Sequence, residues 1–144
     1  MTNTMFTVGY EGRSTAELTA LLNYHGVELV VDVRERPFSR KPGFSRGKLA
    51  SVLEAAGIAY CHEPALGNPA DNRQPFRDGD PEARERYRRV LRNGANDVMT
   101  RVVETSRRTC VALLCFEREH DRCHRSVVSD RALEIDPELT IRPI

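Results

Sequence analysis

Short apolar runs alternate with amphipathic helical segments along the chain, and this alternation constrains the fold more than any other feature. The Leu-Val-Val run at residues 29–31 is uninterrupted, as in strands buried on both faces of a parallel sheet. Strands that alternate with helices predict an α/β fold. We expect one domain over residues 1–144, with a mostly parallel, Rossmann-like sheet of about five strands flanked by helices. The predicted strands cover residues 5–8, 28–33, 58–62, 109–116 and 139–144.

Helix signals fill the segments between these strands. Ser14 and Glu17 have the spacing of a capping box, and Ser45 is the expected N-cap of the next helix. The predicted helices cover residues 15–25, about 47–56, 81–92, 94–106 and about 123–134. Two stretches rich in Gly and Pro, residues 34–46 and 63–80, are predicted as loops, and long loops beside a binding crevice are plausible lids.

Composition limits the class of protein. Hydrophobic residues make up 40% of the 144 residues and charged residues 30%, which is typical of a globular chain. The net charge of +1 argues against a partner held by bulk charge, and no apolar run is long enough for a membrane span. We find no signal peptide and expect a reducing, cytoplasmic location for the four cysteines. Cys61 and Cys110 lie inside predicted strands and are expected to be core thiols.

Polar side chains capable of ligand binding or catalysis follow four of the predicted strands. In a parallel α/β sheet the carboxyl ends of the strands meet at one edge, where ligands bind. One interpretation is therefore a single crevice, and the other is that polar residues are simply common at strand ends. The residues concerned are Tyr10, Glu11 and Gly12 after the first strand, Asp32 and Arg34 at the second, His62 at the third, and Cys115 and Glu117 at the fourth.

The tripeptide Cys123-His124-Arg125 is the sharpest local feature. It falls at the expected first turn of a helix, where free amides and the helix dipole favour an anion and a thiolate. Arg125 can bind a phosphate or carboxylate in a forked geometry, and His124 can act as acid, base or ligand. The alternative is a helix start that happens to hold these residues, with Cys123 as a small buried filler.

Cys115 has several interpretations that stay open. It can pair with Cys123, bind a metal with it, act as a nucleophile, or be a buried structural thiol. Cys115, Cys123, His124 and His62 could supply zinc ligands, but their spacing fits no standard site, so we predict no cofactor and keep zinc as an alternative. Asp32 and Arg34 point the same way on a strand. They form either an ion pair or an anion site.

Taken together, these motifs resemble the domain of unknown function 488 family. The resemblance implies a small bacterial or archaeal cytosolic α/β protein and brings no established reaction with it. The matching stretches are Val8-Gly9-Tyr10-Glu11-Gly12-Arg13-Ser14, Val31-Asp32-Val33-Arg34 with Pro37 and Ser39, Gly43-Phe44-Ser45, Tyr60 with His62, Pro64 and Leu66-Gly67, and Leu114-Cys115-Phe116-Glu117 with Cys123-His124-Arg125.

The leading functional hypothesis is an enzyme or enzyme-like pocket for a small anionic ligand, such as a nucleotide or phosphorylated metabolite. Cys115 or Cys123 would be the nucleophile or redox thiol, and His62, His124 or Glu117 would handle protons. The rivals are a non-catalytic nucleotide- or nucleic-acid-binding module and a structural metal or thiol site. We expect no membrane partner. The predicted ligand-binding residues are Arg34, Arg125, Asp32, Tyr10, Glu11, Gly12, Ser39 and Ser45.

Overall fold

A computed structural model describes residues 3–144, and within that range five strands alternate with six helices. The strands are Thr4–Gly9 (β1), Leu29–Asp32 (β2), Ala59–His62 (β3), Val111–Cys115 (β4) and Thr140–Pro143 (β5). The helices are Thr15–Tyr24 (α1), Arg46–Ala55 (α2), Arg73–Arg77 (α3), Pro81–Arg92 (α4), Asn96–Ser106 (α5) and Arg125–Ile135 (α6).

The strands form one sheet in the order β3-β2-β4-β1-β5, and every neighbouring pair among the described residues is parallel. This confirms the predicted α/β class and the parallel sheet. The most apolar strand, β4, lies at the centre, and all five of its residues are buried. Cys115 is in register with Gly9 of β1, so the end of β4 meets the end of β1 at the carboxyl edge.

Helices cover both faces of the sheet because alternate residues of each strand point to opposite sides. Ala112 and Leu114 of β4 pack with Leu18 of α1 and Leu49 of α2 in one cluster of buried residues. Val111, Leu113 and Cys115 belong to the other cluster, which contains side chains of α4, α5 and α6. The chains that leave β2 and β4 therefore turn to opposite faces, which opens a crevice between them.

Two predicted helix starts differ in the structure. The capping box of α1 is present, since Ser14 Oγ accepts from the Glu17 amide and Glu17 Oε1 accepts from the Ser14 amide, each at 3.0 Å. Ser45 has the N-cap position of α2 but does not cap it, because its hydroxyl bonds the backbone of Ser39 instead. α6 begins at Arg125, so Cys123 and His124 precede its first turn rather than forming it.

The stretch 63–80, predicted as an irregular loop, is largely ordered structure. It contains two short 3-10 turns, Pro64–Leu66 and Ala70–Asn72, followed by α3. Buried Leu66 and Phe76 anchor it to the core. Its prolines and glycines favour irregular structure locally, but the tertiary burial of these two side chains overrides that preference.

Two smaller points concern thiols and membranes. Cys61 lies in β3 as predicted, whereas Cys110 precedes β4 by one residue, and both are half-buried rather than core. In residues 3–144 no helix combines the length and the apolar character that a bilayer crossing requires.

Candidate functional site

A cleft of about 360 Å³ lies at the carboxyl edge of the sheet. The loop after β2 forms one wall, and α3 with the loop after β4 forms the other. Its lining residues are Tyr10, Arg34, Glu35, Arg36, Phe38, Ser39, Arg40, Asn68, Arg73, Phe76, Arg77, Cys115, Phe116, Glu117, Arg122 and His124.

Two glycines allow the walls to approach each other. An ideal Cβ at Gly9 would overlap the carbonyl oxygen of Glu117, so only glycine lets the loop after β4 cross the end of β1. An ideal Cβ at Gly67 would lie 2.5 Å from the backbone nitrogen of Glu35. Gly67 thereby seats the turn before α3 against the loop after β2.

Four side chains with metal-binding or nucleophilic atoms converge at the floor of the cleft. One ligand atom from each of Cys115, Glu117, Cys123 and His124 lies within 4.8 Å of all the others. The sulfur atoms of Cys115 and Cys123 are joined in a disulfide, across a Cα–Cα distance of 7.7 Å. Glu117 Oε2 lies 3.3 Å from the Cys115 sulfur. These residues, which all lie between positions 115 and 124, form one compact cluster, which we call the thiol cluster.

Arg125 lies beneath the thiol cluster and is almost fully buried. Its backbone N–H and its Nε–H both point at the Cys123 sulfur, at 3.4 and 3.3 Å, and its Nη2 donates to the Glu117 carbonyl at 2.5 Å. Burial lowers the pKa of Arg125 to about 10, which still leaves it charged at neutral pH. These N–H groups and the buried cation would favour a thiolate at Cys123 after reduction of its disulfide with Cys115.

His124 is held with one ring nitrogen free for chemistry. Its Nε2 lies 3.0 Å from the Val33 carbonyl oxygen, and a carbonyl can only accept, so Nε2 carries the proton. Burial lowers the pKa of His124, which favours the neutral ring. Nδ1 is then an unprotonated acceptor, and it lies 3.7 Å from the Cys123 sulfur. The backbone carbonyl of Val33, just after β2, thus sets the tautomer of His124.

A buried polar network fastens the loop after β2 to the sheet. Arg34 makes a forked pair with Asp32, at 2.9 and 2.7 Å, and its Nη1 donates to Tyr10 Oη and to the Phe44 carbonyl. Tyr60 donates to Asp32 Oδ2 at 2.5 Å. Burial alone would lower the pKa of Arg34, but Asp32 raises it above its ordinary value, so the guanidinium stays charged.

The cleft is rich in arginine, and two of its arginines are free of ion pairs with residues 3–144. Six arginines and two glutamates line it. Arg73 pairs with Glu35 and Arg77 with Glu117, both at 3.6 Å. Among residues 3–144, no carboxylate forms an ion pair with Arg36 or with Arg40, although the chain as a whole carries a net charge of only +1.

Comparison with known families decides where this chain belongs. A family model described as "Domain of unknown function DUF488" matches residues 14–132. The chain belongs to the DUF488 family. This confirms the resemblance inferred from the motifs, and the match includes the loop after β2 and all of the thiol cluster. Comparison with curated proteins and with solved structures gave no match.

The structure of this DUF488 protein brings some of the predicted catalytic residues together and separates others. Cys115, Glu117 and His124 line the floor of the cleft, and fully buried Cys123 lies next to them behind the lining. His62 is apart from the cleft lining, and its Nε2 lies 2.6 Å from the Arg34 carbonyl oxygen, where it supports the loop after β2.

The predicted ligand-binding residues are also divided. Of these, Tyr10, Arg34 and Ser39 line the cleft, whereas Asp32, Ser45 and Arg125 lie behind it. Glu11 accepts from the Arg118 amide at 3.1 Å and lines a second, adjoining pocket. Gly12 follows in the turn after β1, outside the residues that line either pocket.

Sequence reasoning missed the aromatic and basic rim of the cleft. Phe38 and Phe116 are 72% and 41% exposed, and α3 contributes Arg73 and Arg77. A signal did exist in the stretch Arg36-Pro37-Phe38-Ser39-Arg40, where an aromatic ring lies between two arginines in a predicted loop. No signal pointed to α3, because its stretch was predicted to be irregular.

Proposed function

We propose that this DUF488 protein is an enzyme whose cleft binds a small anionic ligand carrying an aromatic ring, with a nucleotide as the best-fitting class. One observation carries the proposal: exposed phenylalanines and arginines line the same cleft, and its floor is the thiol cluster. A nucleotide offers a π-face and phosphate charge in one molecule, which matches both parts of the lining.

The aromatic part of the proposal rests on Phe38 and Phe116. Large apolar side chains left this exposed beside a cleft are typical of ligand contacts. Within residues 3–144 only Tyr24 joins them as an exposed large hydrophobic side chain, and it lies outside the cleft. Phe116 is held edge-on to Tyr10 at 5.4 Å, so its ring has a defined orientation. A base that stacks on these rings would cover apolar surface now facing water.

The anionic part rests on Arg36 and Arg40, which face the cleft without carboxylate partners in residues 3–144. Guanidinium groups suit phosphate because they donate two parallel N–H bonds. The cleft volume of about 360 Å³ lies in the range of small-ligand pockets. These features favour a mononucleotide over a long polyanion.

The enzymatic part rests on the thiol cluster. A ligand that fills the cleft would reach Cys115, Glu117 and His124, all of which line it. The Nδ1 of neutral His124 can take up a proton, and the Glu117 carboxylate lies beside the Cys115 sulfur. A purely binding module would have no need for such groups at the floor.

Calorimetric titration of the reduced protein with nucleoside mono-, di- and triphosphates, and with phosphate alone, tests this proposal. We expect saturable binding of at least one nucleotide, and Phe38→Ala should weaken it about tenfold, since base stacking contributes about 1–3 kcal/mol. Tyr24→Ala is the matched control, because Tyr24 is 85% exposed and outside the cleft. Absence of saturable binding, or equal affinity in the two variants, would overturn the proposal.

A further inference from the structure

The thiol cluster has the composition of a transition-metal site. Two sulfurs, one imidazole nitrogen and one carboxylate oxygen lie within 4.8 Å of one another. Zinc takes thiolate, imidazole and carboxylate ligands in tetrahedral sites, and this mixture of soft and intermediate donors suits zinc better than calcium or magnesium.

The surrounding groups hold each donor in the form that a metal requires. His124 donates Nε2–H to the Val33 carbonyl, which directs the lone pair of Nδ1 into the cluster. A backbone carbonyl behind the ring is the usual support of a metal-bound histidine. The Cys123 sulfur faces two N–H groups of Arg125, and the buried guanidinium offsets the charge of thiolate ligands.

The backbone separation of the two cysteines also suits a bridging ion. The structure joins the two cysteines as a disulfide, but their Cα atoms are 7.7 Å apart, beyond the separation of about 4.4–6.8 Å that is usual for this bond. Two sulfurs at ~2.3 Å from a tetrahedral zinc are ~3.8 Å from each other, which the wider separation accommodates.

We propose that, once a thiol reductant has reduced the Cys115–Cys123 disulfide, Cys115, Cys123 and His124 bind a zinc ion with release of the two thiol protons, and that Glu117 and a ligand in the cleft share the fourth position. Three protein ligands and an exchangeable fourth position are typical of catalytic zinc. Arg77, which pairs with Glu117 at 3.6 Å, would hold the carboxylate when it leaves the metal. Zinc binding is inferred from the residues of the thiol cluster alone, whereas a catalytic use of the zinc rests on the proposed function.

Metal analysis of protein expressed with added zinc and purified under reducing conditions without chelators tests the site. We expect close to one zinc ion per chain by elemental analysis and native mass spectrometry. X-ray absorption should show two sulfurs at about 2.3 Å and lighter ligands at about 2.0–2.1 Å. Since these measurements use the unmodified chain, they do not depend on whether a variant folds.

Variants then assign the ligands. Cys123→Ser and His124→Gln should lose zinc, while Cys61→Ser, which changes a free thiol outside the cluster, should keep it. Circular dichroism checks that each variant is folded. Cobalt added to metal-free protein should give the absorption of a tetrahedral thiolate complex in the wild type and in Cys61→Ser only.

Two outcomes would overturn the zinc site. One is a chain isolated without metal that, after full reduction, binds neither zinc nor cobalt. The other is a metal whose absorption spectrum shows no sulfur ligands. Nucleotide binding without zinc would overturn the metal site and leave the proposed function standing, whereas zinc without nucleotide binding would do the reverse.

Discussion

At the scale of single residues, Arg125 has a role different from that expected of an exposed anion-binding side chain. It is 1% exposed, and its N–H groups are directed at the Cys123 sulfur and the Glu117 carbonyl. A guanidinium in this position organises the thiol cluster from below. The ligand-facing positive charge comes instead from arginines on the rim, above all Arg36 and Arg40.

Arg125→Ala should therefore destabilise the fold rather than merely weaken ligand binding. It opens a cavity and leaves the Glu117 carbonyl without its donor, and we expect the free energy of unfolding to fall by about 3 kcal/mol. Arg122→Ala should change it by less than about 0.5 kcal/mol, since Arg122 is 81% exposed. Urea unfolding of the reduced proteins measures both. Similar transition midpoints for the two variants would contradict this role for Arg125.

A second prediction at the scale of residues concerns His120 and the pH dependence of folding stability. Burial lowers its pKa from the ordinary 6.5, and its Nδ1 lies 2.9 Å from the Thr7 hydroxyl. Below pH 6.5 the unfolded chain binds a proton that the folded chain resists, so stability falls as the pH falls. His120→Gln should lose less stability than the wild type between pH 7.5 and pH 5.5 in thermal unfolding. An identical loss in both proteins would contradict the role of His120.

At the scale of elements, the cleft depends on where loops can pass each other. The loop after β4 crosses the end of β1 because Gly9 has no side chain, and the forked Arg34–Asp32 pair holds the loop after β2 against the sheet. These contacts position Glu117 and Phe38 on opposite walls. Both walls are built from loops, but each is tied to a buried strand.

Gly9→Ala should displace the loop after β4. Its Cβ would overlap the Glu117 carbonyl, so we expect a loss of stability of about 2 kcal/mol or more and weaker metal and nucleotide binding. Gly47→Ala is the control, because Gly47 is exposed in α2 with open space around it and alanine favours helix there by about 0.5 kcal/mol. Denaturant unfolding compares them, and equal stability of the two variants would contradict the crossing constraint.

At the scale of the whole molecule, local and total charge differ. The chain carries a net charge of +1, yet six arginines and two glutamates line the cleft at the carboxyl edge of the sheet. Ion pairs elsewhere, such as Arg86–Asp71 and Arg101–Glu63, use up positive charge outside the cleft. The cleft thus keeps two arginines, Arg36 and Arg40, outside any ion pair with residues 3–144, although the chain as a whole is nearly neutral.

This charge distribution predicts that the protein binds nucleotides but not long nucleic acids at physiological salt. Long polyanions bind through many phosphate contacts and lose affinity steeply with salt, whereas a pocket makes few such contacts. We expect no binding of labelled duplex DNA or RNA by fluorescence anisotropy at about 0.15 M salt, where nucleotide binding should persist. Tight, steeply salt-dependent nucleic-acid binding would instead favour the rival binding module.

Much of the fold and part of the site could be predicted from sequence. Apolar runs such as residues 29–31 mark the parallel strands, and the strand-end rule brings Cys115 and Glu117 to one edge. The stretch that became α3 was predicted wrongly, because burial of Leu66 and Phe76 outweighs its local Pro and Gly signals. Exposed Phe38 could not be distinguished from a buried phenylalanine by residue type alone.

The α/β class, the parallel sheet and the family could be read from the sequence, because hydrophobic periodicity and local motifs are encoded in short stretches. The packing of the folded chain brings Cys115, Cys123 and His124 within a few ångströms of one another and buries Arg125 beneath them. The physical reason is that a side chain's neighbours depend on how distant segments pack. The direction in which a loop leaves its strand, or the absence of one Cβ atom as at Gly9, decides which groups line the same cleft.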